Sequence, residues 1–158
     1  MNKQQSTLKR KQKPNREETG TVNKERITSL IGEIEKSLQL LKEFSRKGKD
    51  ELLGDLKSLG SVKYYFMTAI AACCDICNHI TSKERWGVPD SYASCFYLLK
   101  DHGVISDDFA KKLVSMAKFR NLLVFFYQKI DDEKVYEFLQ TELDVFQTYI
   151  DMIAKQYL

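Results

Sequence analysis

The chain has 158 residues, of which 43% are hydrophobic and 30% are charged, so it is long enough for one domain with a packed core. Seven glycines and two prolines favour long helices over a turn-rich β fold. No apolar run reaches the roughly 18 residues of a membrane span, and the N-terminus lacks an apolar signal-peptide core, so we expect a cytoplasmic protein with no membrane partner.

The first 22 residues form a polar and basic segment. Residues 1–18 contain six basic side chains against two acidic ones, a charge of +4, while the whole chain carries +3. This composition predicts a disordered basic tail over residues 1–22 and a helical domain over residues 23–158. The tail either contacts nucleic acid through its charge or is simply solvated, and the second is the simpler interpretation.

Three helices are predicted in the first half of the chain. The first covers about 23–46, because apolar side chains recur at steps of three and four residues. A short helix near 51–56 follows Gly48. The next long helix, about 61–82, is apolar on most sides, which predicts a central position in the fold. The apolar stripe of the first helix consists of Ile27, Leu30, Ile31, Ile34, Leu38 and Leu41.

The predicted central helix carries three polar residues close together. Asp75 lies three residues before Asn78 and four before His79, so these side chains share one side of the helix. Polar groups on a buried helix need partners. They therefore form either the wall of a functional site or a structural network of hydrogen bonds, and both interpretations stay open.

Four cysteines occur, at positions 73, 74, 77 and 95. Three of them share the central helix, which is typical of buried, reduced thiols in a cytosolic protein. Their spacing relative to His79 fits a zinc site poorly. We predict neither a bound metal nor an organic cofactor.

The second half of the chain contains two or three further helices. A break at 86–89 precedes a short helix over about 90–100. Ser106 is the predicted cap of a helix that runs to about residue 124, and Asp131 is the predicted cap of a last helix that continues to the chain end. These elements predict an all-α fold of four or five helices, arranged as an up-and-down bundle with a short inserted helix.

The most informative segment ends the helix that Ser106 begins. It contains Arg120, Asn121 and Tyr127. The pattern resembles the signature of the HEPN superfamily, and most closely that of HepT-like toxins: Arg, a polar residue, three mostly apolar residues, His, any residue, and Tyr. This chain departs from the signature at Phe125, which stands where the family has His.

The resemblance extends over residues 23–158. It includes the segments "DICNHI", "LLKDHGVIS", "MAKFRNLLV" and "IDDEKVYEFL", which follow one another with the order and spacing of HepT-like proteins. This resemblance implies a helical bundle of the HEPN type.

The resemblance also implies an endoribonuclease in which the ribose 2′-OH attacks the adjacent phosphate. Arg120, with Asn121 beside it, suits the developing negative charge. Phe125 has no proton to exchange, and losing such acid–base help lowers a rate by about 10²–10⁴-fold. A second departure is Ala71, where HepT-like proteins often carry Glu four residues before the position of Asp75. We therefore expect weak or absent RNA cleavage.

The resemblance further implies three partners: RNA, a second copy of the chain, and a minimal nucleotidyltransferase that acts as antitoxin. The antitoxin adds AMP units to the motif Tyr, which corresponds to Tyr127. On one continuous helix, Arg120 and Tyr127 lie near the same side and position 125 points elsewhere. Arg120 and Phe125 therefore meet only if the helix bends or ends, or if a second chain contributes.

Two alternatives remain beside the impaired nuclease. A non-catalytic binding module would dock the nucleotidyltransferase or hold a nucleotide without cutting RNA. A helical assembly protein would use Arg120 and Tyr127 only structurally. Serine-nucleophile, P-loop and dinucleotide-binding motifs are absent, which leaves other enzyme classes little support.

Overall fold

The computed structural model describes residues 21–158, so residues 1–20 of the expected basic tail lie outside the described residues. Between residues 21 and 158 the chain forms helices and no strands, and no helix there is both long and apolar enough to cross a membrane. The helices are α1 (Lys24–Ser45), α2 (Lys49–Leu53), α3 (Leu56–Lys83), α4 (Tyr92–Asp101), α5 (Asp107–Phe125), α6 (Asp132–Thr141) and α7 (Asp144–Tyr157), with a 3₁₀ turn at Tyr127–Lys129 between α5 and α6.

Helix α3 is the centre of the bundle, as its apolar surroundings predict. It packs most extensively against α1 and also contacts α4, α5, α6 and α7. The buried Tyr149 hydroxyl of α7 donates a 3.0 Å hydrogen bond to the Cys73 carbonyl of α3. The prediction of an all-α fold is confirmed between residues 21 and 158.

Short polar side chains fix where most of the helices begin. Asn23, Asp55, Ser91, Ser106 and Asp131 each accept a hydrogen bond from a backbone N–H in the first turn that follows. These bonds satisfy donors that have no partner within the helix. The predicted caps at Ser106 and Asp131 are confirmed, and α3 begins earlier than predicted because Asp55 caps it.

The prediction of one continuous last helix is wrong. The chain leaves the helical conformation at Glu142, and α7 starts afresh at Asp144. Both helices pack on α1 and α3, and α6 also packs on α2. Leu143, at the junction, is buried. The apolar periodicity therefore continues across the break, and this is why the sequence pattern does not reveal it.

The prediction of reduced thiols on the central helix is wrong for Cys77. Helix α4 folds across the C-terminal part of α3, and Cys77 and Cys95 form a disulfide with their Cα atoms 6.2 Å apart. Cys73 and Cys74 remain buried thiols. Grouping the cysteines by helix could not reveal this pairing, because it depends on how two separate helices pack.

Candidate functional site

The motif helix ends inside the motif. Helix α5 stops at Phe125, and the Phe126 N–H makes the last helical bond, to the Leu122 carbonyl at 2.9 Å. The 3₁₀ turn follows, with the Lys129 N–H donating to the Phe126 carbonyl at 2.8 Å. Tyr127 thus lies beyond the helix, whose end agrees with the prediction of about residue 124. The shared side expected for Arg120 and Tyr127 on one continuous helix therefore does not apply.

Arg120 belongs to α5, and its side chain extends toward α4. Its guanidinium carbon is 5.1 Å from the centre of the Tyr92 ring, and Nη1 donates to Asn121 Oδ1 at 3.2 Å. The Nε–H is buried and finds no acceptor among residues 21–158. The arginine therefore has an unused donor on Nε.

Arg120 also influences a buried thiol on the central helix. Burial raises the pKa of Cys74 to about 12, the positive charge of Arg120 opposes this rise, and Asp75 adds to it. Cys74 is therefore a thiol, not a thiolate, near neutral pH.

Phe125 lies at the exposed end of α5. Its side chain is 69% exposed, and Leu122, Val124 and Phe126 beside it are also exposed. Five residues correspond to about 140° around a helix, so Phe125 and Arg120 point in different directions within one chain. The structure does not bring these two motif positions together.

Tyr127 packs against the N-terminal half of α3. The Lys63 ammonium lies 4.5 Å from the centre of its ring, and a Cβ built on Gly60 would lie 3.8 Å from its hydroxyl. Lys63 is buried and forms a 2.8 Å ion pair with Asp132 in the first turn of α6. Tyr127 itself stays about half exposed, at 46%.

Tyr127 and Arg120 thus contact different helices. Tyr127 lies against Lys63 of α3, and Arg120 lies against Tyr92 of α4. The Arg120 guanidinium and the Tyr127 hydroxyl therefore have different surroundings within one chain.

Sequence reasoning missed Lys63, Gly60 and Asp132. A signal for Lys63 exists, because it occupies a position in the buried stripe of α3, between Val62 and Phe66. A lysine there must have partners for its charge. Which partners it has depends on the turn after α5, and no local pattern gives that.

The three polar residues of α3 separate in the structure. Asp75 is exposed, and Asn78 lines a cavity near Arg85 and the α3–α4 connection. His79 Nε2 accepts the backbone N–H of Asn23 at 3.0 Å, which ties α3 to the start of α1. Burial first, and then the charges of nearby basic side chains, lower the pKa of His79. His79 thus has a structural contact away from Arg120 and Tyr127.

A family comparison agrees with the motif. The family described as Ribonuclease HepT-like matches residues 34–153, which is most of the chain. The chain belongs to this HepT-like family. Within residues 21–158 no three His, Cys, Asp or Glu side chains are grouped as ligands of a metal ion would be.

Two HepT-like relatives with known activities are similar along nearly their whole length. An mRNA nuclease HepT from Shewanella oneidensis is 28% identical over 130 residues, which covers 82% of this chain and 97% of the relative. A tRNA nuclease HepT from Aphanizomenon flos-aquae is 25% identical over 127 residues, covering 80% and 86% respectively.

Solved structures show the same HepT-like fold. A tri-AMPylated HEPN toxin of Shewanella oneidensis, in complex with an MNT antitoxin, has a TM-score of 0.78 at 26% identity, covering 84% of this chain and 99% of that one. YutE from Bacillus subtilis, at 18% identity and covering 87% of this chain and 92% of that one, has a TM-score of 0.76 and supports the fold alone.

Proposed function

We propose that this HepT-like protein binds RNA as a toxin-type nuclease scaffold whose cutting activity is weak or absent. One observation carries the proposal: an exposed phenylalanine, Phe125, occupies the position of the motif His, while Arg120, Asn121 and Tyr127 are retained. The protein keeps the groups that bind phosphate and lacks the group that moves a proton.

The chemistry follows from these side chains. Attack of a ribose 2′-OH on the adjacent phosphorus forms a new P–O bond, breaks the bond to the 5′ oxygen, and requires a proton acceptor and a proton donor. Arg120 can stabilise the charge on the phosphate oxygens. His79 is a poor substitute for the missing His, because its Nε2 already accepts the Asn23 N–H.

We further propose that two copies of the chain form the RNA cleft. In one copy Arg120 and Phe125 point apart, so a shared cleft requires a second motif helix beside the first. The exposed side chains of Val124 and Phe125 support this arrangement, because an apolar surface is favourably buried against another copy.

Tyr127 is the proposed acceptor of AMP from an MNT-type nucleotidyltransferase, the proposed partner. Its hydroxyl oxygen would attack the α-phosphorus of ATP, form a phosphodiester, release pyrophosphate and lose its proton to water. The support is the exposure of Tyr127 and the similarity to an AMPylated HEPN toxin bound to its MNT antitoxin. The added negative charge would repel RNA phosphates.

The test compares RNA cleavage by the natural chain and by Phe125→His in EDTA. We expect the substitution to raise the cleavage rate by about 10²–10⁴-fold, because it supplies the missing acid–base group. Gln128→His is the matched control, since it adds an exposed histidine three positions away. Arg120→Ala should abolish the gain. Rapid, Arg120-dependent cleavage by the natural chain would contradict the proposed impairment.

A second candidate is a binding module that docks the nucleotidyltransferase, or holds a nucleotide, without cutting RNA. The 69% exposed Phe125 favours it, because an apolar side chain suits protein contact better than contact with phosphate. Cleavage assays and gel filtration with an MNT protein together distinguish the two. This candidate predicts no cleavage by the unsubstituted chain or by Phe125→His, and a complex that Phe125→His weakens. The nuclease scaffold predicts that Phe125→His cleaves RNA and still binds the MNT protein.

A further inference from the structure

A cavity of about 530 Å³ opens between the C-terminal half of α5 and the start of α6. Phe119 and Phe138 form its floor as a stacked pair, with ring centres 4.1 Å apart. Leu122 and Phe126, 48% and 52% exposed, form part of its wall. Phe119 itself is buried, so the cavity offers the rings of Phe126 and of the partly buried Phe138 to a ligand from solvent.

The mouth of this cavity is basic. Lys118, Lys129 and Lys134 line it, and all three are exposed. Asp131 is the acidic residue among them, and its Oδ1 accepts the Glu133 N–H as the cap of α6. An apolar floor with a positive rim matches a ligand that has a flat apolar part and negative charges on either side.

We propose that this cavity binds one base of single-stranded RNA, with the rim lysines contacting the phosphates that flank it. The inference rests on the proposed function, and it adds a second contact point for the RNA. Bases of single strands stack on aromatic side chains, and the adjoining phosphates pair with lysine. Phe125 belongs to the motif, and the next residue, Phe126, lines the cavity. An RNA strand that binds along the motif therefore reaches the mouth of the cavity.

The composition of the rim favours RNA over a protein occupant. Lysine is depleted in protein–protein interfaces, whereas a strand of phosphates gains affinity from each lysine it contacts by releasing counterions. Three lysines around one opening thus suit a polyanion. To fill this cavity, a second copy of the chain would have to present acidic side chains directly beside an apolar side chain.

The experiment measures binding of the full chain to a fluorescent oligouridine RNA of about 12 nucleotides by anisotropy, in EDTA and over a range of salt concentrations. Phe126→Ala should lower the affinity by about 5- to 150-fold, the equivalent of losing one stacked base, without changing the salt dependence. Lys129→Gln should reduce the slope of log K against log salt by about 0.7, because one phosphate contact is lost.

Matched controls lie elsewhere on the surface. Leu56→Ala removes an apolar side chain that is 81% exposed, and Lys36→Gln removes an exposed lysine of α1; neither residue lines the cavity, and both variants should bind RNA like the natural chain. Circular dichroism checks that Phe126→Ala is folded. Lys129→Gln changes only an exposed side chain and should fold like the unsubstituted chain. Its RNA-binding result therefore decides the inference even if Phe126→Ala fails to fold.

The outcomes separate this inference from the proposed function. RNA binding that Arg120→Ala weakens, but that Phe126→Ala and Lys129→Gln leave intact, overturns the base cavity and keeps the proposed function. No RNA binding by the natural chain overturns both. If Phe126→Ala leaves RNA affinity unchanged and instead lowers the sedimenting mass, the cavity is a contact between copies and the inference is wrong.

Discussion

Lys63 shows how one buried charge can fix the place of an exposed side chain. Its ammonium is removed from water and has two neighbours, the Asp132 carboxylate at 2.8 Å and the Tyr127 ring centre at 4.5 Å. An ammonium in such a position is strongly held by the partners that compensate its lost hydration. Because Tyr127 belongs to the turn after α5, the lysine anchors that turn to α3.

Replacing Lys63 by Met tests this anchor, because methionine keeps the length and loses the charge. We expect the Lys129 amide hydrogen to exchange about 5-fold faster, which corresponds to a cation–π contribution of about 1 kcal/mol. The free energy of unfolding should change by less than about 1 kcal/mol, since Asp132 can return to water. Hydrogen exchange followed by mass spectrometry measures the local effect.

Lys49→Met is the control for this substitution. Lys49 also pairs with the start of α6, through Glu133 at 3.5 Å, but both side chains are exposed. Its loss should leave exchange at Lys129 unchanged. Equal exchange in the natural chain and Lys63→Met would show that the lysine does not hold the turn.

Sequence reasoning selected the motif residues but could not give their neighbours. Arg120 and Tyr127 follow from a local pattern, and the structure places Tyr127 against Lys63 of α3 and Arg120 against Tyr92 of α4. The apolar pattern also predicts that α5 ends near residue 124. The path of the turn after that end begins with φ −128° at Phe126 and brings Tyr127 to α3, and it depends on contacts with residues distant in the sequence.

At the scale of elements, the turn between α4 and α5 depends on a glycine. Gly103 adopts φ +74°, and its N–H bonds the Lys100 carbonyl while the Val104 N–H bonds the Leu99 carbonyl. This arrangement satisfies the free carbonyls at the end of α4, and it uses a conformation that is unfavourable for residues with a Cβ. The sequence predicted the helix end at this place.

Two glycine-to-alanine substitutions should change stability in opposite directions. Gly103→Ala should lower the free energy of unfolding by about 1 kcal/mol, because alanine resists a positive φ. Gly32→Ala, in the interior of α1 with open space around it, should raise this free energy by about 0.5–1 kcal/mol. Urea denaturation measures both values. A stabilising Gly103→Ala would contradict the role given to the turn.

At the scale of the molecule, the bundle could be predicted because each helix carries its own signals. Capping residues and apolar stripes are local features of the sequence, so they predict the ends of most helices to within a few residues. Contacts between distant helices are not local. The break at Glu142, the Lys63–Tyr127 contact and the Cys77–Cys95 disulfide all depend on packing between separate helices, and sequence periodicity does not contain that information.

The disulfide gives the last prediction, because it ties the central helix to α4 across 18 residues. Closing a loop of this length removes freedom from the unfolded chain, which stabilises the fold by about 3 kcal/mol. A phosphine reductant should therefore lower the free energy of unfolding by about that amount. Thiol titration in denaturant should find two reactive cysteines before reduction, Cys73 and Cys74, and four after it.

Cys95→Ala provides the control that separates this bond from general effects of the reductant. In that variant the disulfide cannot form, so the reductant should leave the free energy of unfolding unchanged. Four reactive thiols in the untreated natural chain would contradict the pairing. A protein stabilised in this way would hold α4, and with it Tyr92 beneath the Arg120 guanidinium, more firmly when oxidised than when reduced. The position of the motif arginine would then depend on a bond that lies outside the motif.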